Sequence, residues 1–179
     1  MTGNITEYDI PIIIPSYEPD EKLPALLKKL KDTGFRNIVL VNDGSGEAYI
    51  HYFEEAEALY GCLVLHHAVN QGKGRALKTA FNYCLQEFGQ MPGAITADSD
   101  GQHSPECILA CAQAMLVNPE ALILGCRCFE GDEVPARSEF GNKCTRMVMK
   151  YLTGITVSDT QTGLRGIPAF FMQQLLMVK

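Results

Sequence analysis

Ala94-Ile95-Thr96-Ala97-Asp98-Ser99-Asp100-Gly101-Gln102-His103-Ser104-Pro105 is the stretch on which the reading of the fold turns. Four small or apolar residues make a short strand, and two aspartates with a glycine break it. Ser104 and Pro105 then have the residue types of an N-cap and a first helical position. A strand that runs straight into a polar turn and a helix is the repeating unit of a parallel sheet.

The same unit recurs on both sides. Residues 8–15 form an apolar run that suits a buried strand, and 22–32 place Leu23, Leu26, Leu27 and Leu30 on one helical face. Pro24 fits that helix only because it falls in the first turn. A second strand through 37–41 stops at Asn42-Asp43-Gly44-Ser45-Gly46, a dense turn signal. A helix over 47–60 leads to a third strand at 62–65. The strongest helix is 73–88, where Leu77, Ala80, Phe81, Cys84, Leu85 and Phe88 keep helical spacing. A further strand is expected at 121–125 and a helix at 136–153, closed by Gly154. The result is an α/β domain with a mainly parallel sheet covered on both faces, and residues 1–179 form one domain. Ligands of such sheets bind outside the carboxyl ends of the strands, where the polar segments of this chain gather.

Composition narrows the function classes. Of the 179 residues, 46% are hydrophobic and 20% charged, which fits a folded domain and excludes disorder as the main state. The net charge of −6 supplies no global field for nucleic acid or anionic lipid, so a phosphate-bearing ligand needs a local site. Seven cysteines, an odd number without metal-ligand spacing, predict free thiols and a reducing, cytoplasmic setting. The N-terminus has no secretory-signal pattern, and no run of about 18 apolar residues predicts a membrane span.

Asp98 and Asp100 lie two apart in an extended segment, so both carboxylates point to one side. Two such charges stay ionised together beside a cation, and a hard ion such as Mg²⁺ or Mn²⁺ suits them. Alone, the same pair reads more readily as an acidic turn capping the next helix. Asn70-Gln71-Gly72-Lys73-Gly74-Arg75 brings backbone N–H groups and two cations to a helix N-terminus, an arrangement that binds diphosphates. It lacks the spacing of a P-loop. Asp43 can accept a hydrogen bond from a ribose hydroxyl or a base N–H, or else simply close an Asx turn. His66 and His67 are read as packing or nucleotide-contact residues and His103 as lining the aspartate loop, none of them as a metal ligand.

Taken together, P-S-Y-E after the first strand, N-D-G-S after the second, N-x-G-K-G-x-A before the third helix and D-S-D-G-Q-H resemble glycosyltransferase family 2. Ser158-Asp159-Thr160-Gln161-Thr162-Gly163-Leu164-Arg165-Gly166 makes the chain similar to the branch that glycosylates polyprenyl phosphates, over roughly residues 8–168. The resemblance implies a GT-A fold, a Rossmann-like three-layer sandwich, and an inverting transfer from a UDP- or GDP-sugar. Pro15, Tyr17, Glu18 and Asp43 would hold the nucleoside, and Lys73 would approach it or its diphosphate. Asp98, Asp100 and Gln102 would form the metal-centred cluster, with Asp98 also near the nucleotide. Arg127 and Arg137 match positions near phosphate groups. Asp100, Asp159, Gln161 and Arg165 complete the catalytic motifs.

Two other readings stand beside this one. A family 2 transferase acting on a glycan hydroxyl would need a general base, and Asp159 is the candidate. A catalytically silent nucleotide-sugar binding module would keep the donor site alone. The apolar segment 170–178, at the end of a free domain, would be sticky. It leads us to expect a longer protein whose further helices reach the cytoplasmic face of a membrane.

Overall fold

The computed structural model describes residues 5–125 and 163–178. Strands β1 (Ile12–Ser16), β2 (Ile38–Asn42), β3 (Leu63–His66) and β4 (Gly93–Thr96) are mutually parallel. Helices α1 (Lys22–Thr33), α2 (Ile50–Tyr60), α3 (Lys73–Glu87) and α4 (Pro105–Val117) follow them in turn. Short β5 (Ile123–Leu124), β6 (Arg165–Pro168) and helix α5 (Ala169–Met177) complete the described elements. The six-stranded sheet has the order β3-β2-β1-β4-β6-β5.

The predicted strand-helix alternation is present, with boundaries moved by a few residues. Residues 8–11 are not strand: Glu7–Asp9 form a 3-10 turn, and β1 begins after Pro11, which has no N–H to give a ladder. Asp9 closes that turn by accepting bonds from the backbone and hydroxyl of Thr6, at 2.9 and 2.7 Å.

Alternation along β1 divides the core. Ile12 and Ile14 face Leu23, Leu27 and Leu30 of α1, Phe53 of α2 and Ile108 of α4. Ile13, with Val39 and Val41 of β2, faces Ala76, Ala80 and Phe81 of α3. Each fully buried Ile or Leu side chain contributes roughly 1.5–3 kcal/mol. Two apolar layers on one sheet make the three-layer sandwich.

The sheet is mainly parallel, as expected, with one strand that the sequence does not announce: β6 is antiparallel to β4, pairing Arg165 with Thr96 and Pro168 with Gly93. Its four residues include a glycine and a proline, which hide any strand pattern. The apolar segment near the end is not left bare either: as α5 it buries Met172 and packs Phe171, Leu175 and Leu176 against the α3 layer. Phe170 and Met177 remain exposed. The helix expected over 136–153 lies outside the described residues. Among them, no helix is long and apolar enough to cross a membrane.

Candidate active site

Because β1 to β4 run parallel, their carboxyl ends share one edge. A cleft of about 300 Å³ opens there, lined by Pro15 near the end of β1 and Tyr17 just after it, Asp43 after β2, Lys73 on α3, and Asp98 and Asp100 after β4. Six residues drawn from four separate motifs thus meet.

Asp43 is the most constrained of them. It is 3% exposed. Its Oδ1 accepts from His67 Nδ1 at 2.6 Å and from the backbone N–H of Gln71 at 3.0 Å, and its Oδ2 accepts from that of Gly72 at 2.8 Å. Burial is the largest single influence on this carboxyl and pushes its pKa up. The Gln71 N–H, the His67 ring and the Gly72 N–H together outweigh it, so Asp43 titrates below the ordinary 3.8. Thr79 Oγ1 of α3 lies 2.8 Å from His67 Nε2 and holds the ring from its other side.

The loops around Asp43 fit closely. Gly44 has φ +75°, and a Cβ there would fall on the backbone of Val69 and Asn70, so only glycine lets the two turns meet. Ser45 N–H donates to Asn42 Oδ1 at 2.9 Å, and Ser45 Oγ accepts from the Glu18 N–H at 2.9 Å. Glu18 itself has φ +47°. It stands beside the cleft rather than lining it, and its carboxylate, hydrogen-bonded to Tyr17, raises the phenol pKa above 10.0. Ser16 is buried with a hydroxyl that finds no partner among the described residues.

Gly72, at φ +87° and ψ 155°, occupies a region almost reserved for glycine and turns the chain into α3. No side chain caps this helix N-terminus, and its first N–H groups open beside the cleft. Lys73 forms an ion pair with Asp98.

The aspartate turn is built more loosely. Asp98 keeps 30% side-chain exposure, with His103 Nε2 4.0 Å from its second oxygen. Asp100 Oδ1 accepts from the Gln102 N–H at 3.1 Å. Gln102 itself lines a neighbouring cavity of about 230 Å³ with Asp100, Lys22 and Lys29, at the turn where Gly101 has φ +71°. Asp100 lines both spaces, so the two adjoin at the aspartate turn. Gly163, the described end of the second motif, lies against Asp98: a Cβ there would collide with the carboxylate, and its carbonyl accepts from Thr96 Oγ1 at 2.9 Å.

Among the described residues, no group of three or more His, Cys, Asp or Glu is placed to hold a metal. The two carboxylates facing one cleft do fit a hard divalent ion that takes its other ligands from water and phosphate. Arg127, Arg137, Asp159 and Gln161 lie outside the described residues.

The model of Glycosyl transferase family 2 matches residues 12–174. The chain belongs to this family. It is 29% identical over 166 residues to an uncharacterized protein of Methanocaldococcus jannaschii, covering 91% of this chain and 66% of that one. It is 26% identical over 170 residues to the UDP-N-acetylglucosamine–dolichyl-phosphate N-acetylglucosaminyltransferase of Methanococcus voltae, covering 86% and 67%. The chain thus spans about two thirds of these curated relatives. Among solved structures, TarS of S. aureus in complex with UDP-GlcNAc aligns with TM-score 0.52 and 20% identity, over 73% of this chain and 38% of that one. That likeness establishes the GT-A-type fold.

Three contributors escaped the sequence reading. Thr79 sits in a helix with no local sign of a role. His67 was read only as a packing or nucleotide-contact residue. Gly163 was part of a motif, but its closeness to Asp98 was not visible.

Proposed function

We propose that this domain is a metal-dependent, inverting glycosyltransferase that moves a sugar from a nucleoside-diphosphate sugar to a polyprenyl phosphate. The observation that carries the reading is the facing of Asp98 and Asp100 with Lys73 and the open N-terminus of α3 across one cleft. Carboxylates for a cation and donors for a diphosphate are thereby brought together.

In this reading Pro15, Tyr17 and Asp43 hold the nucleoside, and Glu18 orients Tyr17. Lys73 and the first N–H groups of α3 orient the diphosphate. Asp98 and Asp100, with Gln102 beside them, would hold Mg²⁺ or Mn²⁺. Such an ion, when bound, would supply charge stabilisation for the leaving diphosphate. An acceptor phosphate oxygen attacks the anomeric carbon as the bond to the diphosphate oxygen breaks, and the configuration inverts. An ionised phosphate needs no general base, unlike an alcohol. The acceptor class is supported by the D-T-Q-T-G-L-R motif and by the dolichyl-phosphate substrate named for the Methanococcus voltae relative. Arg127 and Arg137 are assigned to phosphate contacts, and Asp159 and Gln161 to the catalytic side of the cleft. The setting would be cytoplasmic, at the membrane face.

The test is calorimetric titration of nucleoside diphosphates with Mn²⁺ and with EDTA, followed by transfer assays on a short polyprenyl phosphate and its polyprenol. Mn²⁺-dependent binding and transfer to the phosphate alone are expected. Binding unchanged by EDTA sinks the metal assignment, and equal transfer to the alcohol sinks the acceptor.

A further inference from the structure

The hydrogen bonds around Asp43 leave it a nearly exhausted acceptor, and that limits which base it can recognise. A carboxylate has about four acceptor sites, two on each oxygen. Oδ1 already receives His67 Nδ1 and the Gln71 N–H, and Oδ2 receives the Gly72 N–H. One site on Oδ2 remains. The groups that occupy the others do not move aside easily. Gln71 and Gly72 donate from the backbone of a turn pinned against Gly44, and His67 is fixed from behind by Thr79, with 7% of its side chain exposed.

Guanine presents a ring N–H and an amino N–H side by side, and a carboxylate pairs with both by offering one oxygen to each. Here Oδ1 is full, so one guanine donor would be desolvated in the cleft without a partner. Uracil presents a single imide N–H between two carbonyls, which matches a single remaining acceptor. The carboxylate is held ionised at neutral pH by its donors, so it accepts and never donates.

Resting on the nucleotide-site reading above, we infer that the donor is a uridine diphosphate sugar, and that the His67–Thr79 pair sets this choice by filling Oδ1 of Asp43. His67 and Thr79 are positioning residues: neither is needed to touch the ligand.

The experiment is calorimetric titration of UDP and of GDP at fixed Mn²⁺ on the wild-type protein, Thr79→Val and His67→Met, with circular dichroism confirming that each is folded. Wild type should bind UDP at least tenfold tighter than GDP. Thr79→Val, which lets the ring leave Oδ1, should narrow the ratio severalfold, and His67→Met should narrow it further if it folds. A purely structural role would weaken both nucleotides equally and leave the ratio fixed. GDP binding as tightly as UDP to wild type overturns the base assignment while leaving the nucleotide site intact. A ratio unchanged in folded Thr79→Val overturns the role of the pair. Binding of neither nucleotide removes the nucleotide-site reading, and the base assignment with it.

Discussion

Asp43 and Asp98 line the same cleft on either side of β1, yet they are held in opposite ways. Asp43 is 3% exposed and surrounded by donors from three neighbouring residues. Asp98 is 30% exposed on its side chain, and Lys73 contributes the charge beside it. A buried carboxylate held by several fixed donors is an orienting element, because moving it breaks several bonds at once. A half-exposed carboxylate facing a mobile ammonium can exchange that counter-charge for another cation, because solvent makes the exposed pair weak. The side walls differ to match. The Asp43 turn is locked by Gly44 against Val69, whereas Asp98 leans on the bare Cα of Gly163.

The contrast can be broken by substitution. The largest effect is expected at Asp43: Asp43→Ala strands the His67 ring and the Gln71 N–H, while the Gly72 N–H keeps Asn70 Oδ1, and should lower stability by about 2–4 kcal/mol, read by urea denaturation. A loss below about 1 kcal/mol would show the network to be dispensable. The same carboxylate gives an acid signature. Its folded pKa lies below 3.8, so its stabilisation is complete above that value and is lost as pH falls through the lower folded one. From about pH 5 to below pH 3, wild type should therefore lose stability relative to Asp43→Asn, and parallel curves would contradict this.

Next in size is Asp100→Ala, which should spare stability to within about 1 kcal/mol. It should weaken Mn²⁺-dependent nucleoside diphosphate binding at least tenfold, or about 1.4 kcal/mol. A large fall in melting temperature would erase the distinction between the two turns.

The smallest effect belongs to Gly163→Ala. The new methyl meets the end of a side chain that can rotate, so a stability cost of about 1 kcal/mol is expected. Mn²⁺ affinity should nevertheless fall severalfold as Asp98 turns away. Unaltered Mn²⁺ binding would mean that Gly163 does not set the aspartate's direction.

Much of this site was legible because its chemistry clusters within short segments. Asp98, Asp100 and the Gly72-Lys73 turn each follow or precede an element whose periodicity is plain, so their place at the strand ends follows from local pattern. Gly163 shows the limit: it lies 65 residues from Asp98, and no local pattern places its Cα against that carboxylate.

By itself the sequence determined the alternation of strands and helices, the parallel core of the sheet and the edge on which the motifs meet. These depend on hydrophobic period and turn chemistry, which act over a few residues. Only the tertiary structure decided the antiparallel insertion of β6 beside β4, the packing of α5 on α3, and the closure of Asp43 by groups 24, 28 and 29 residues away. Such contacts depend on which backbone N–H groups and ring nitrogens a finished fold brings to one carboxylate, and no local pattern records that geometry.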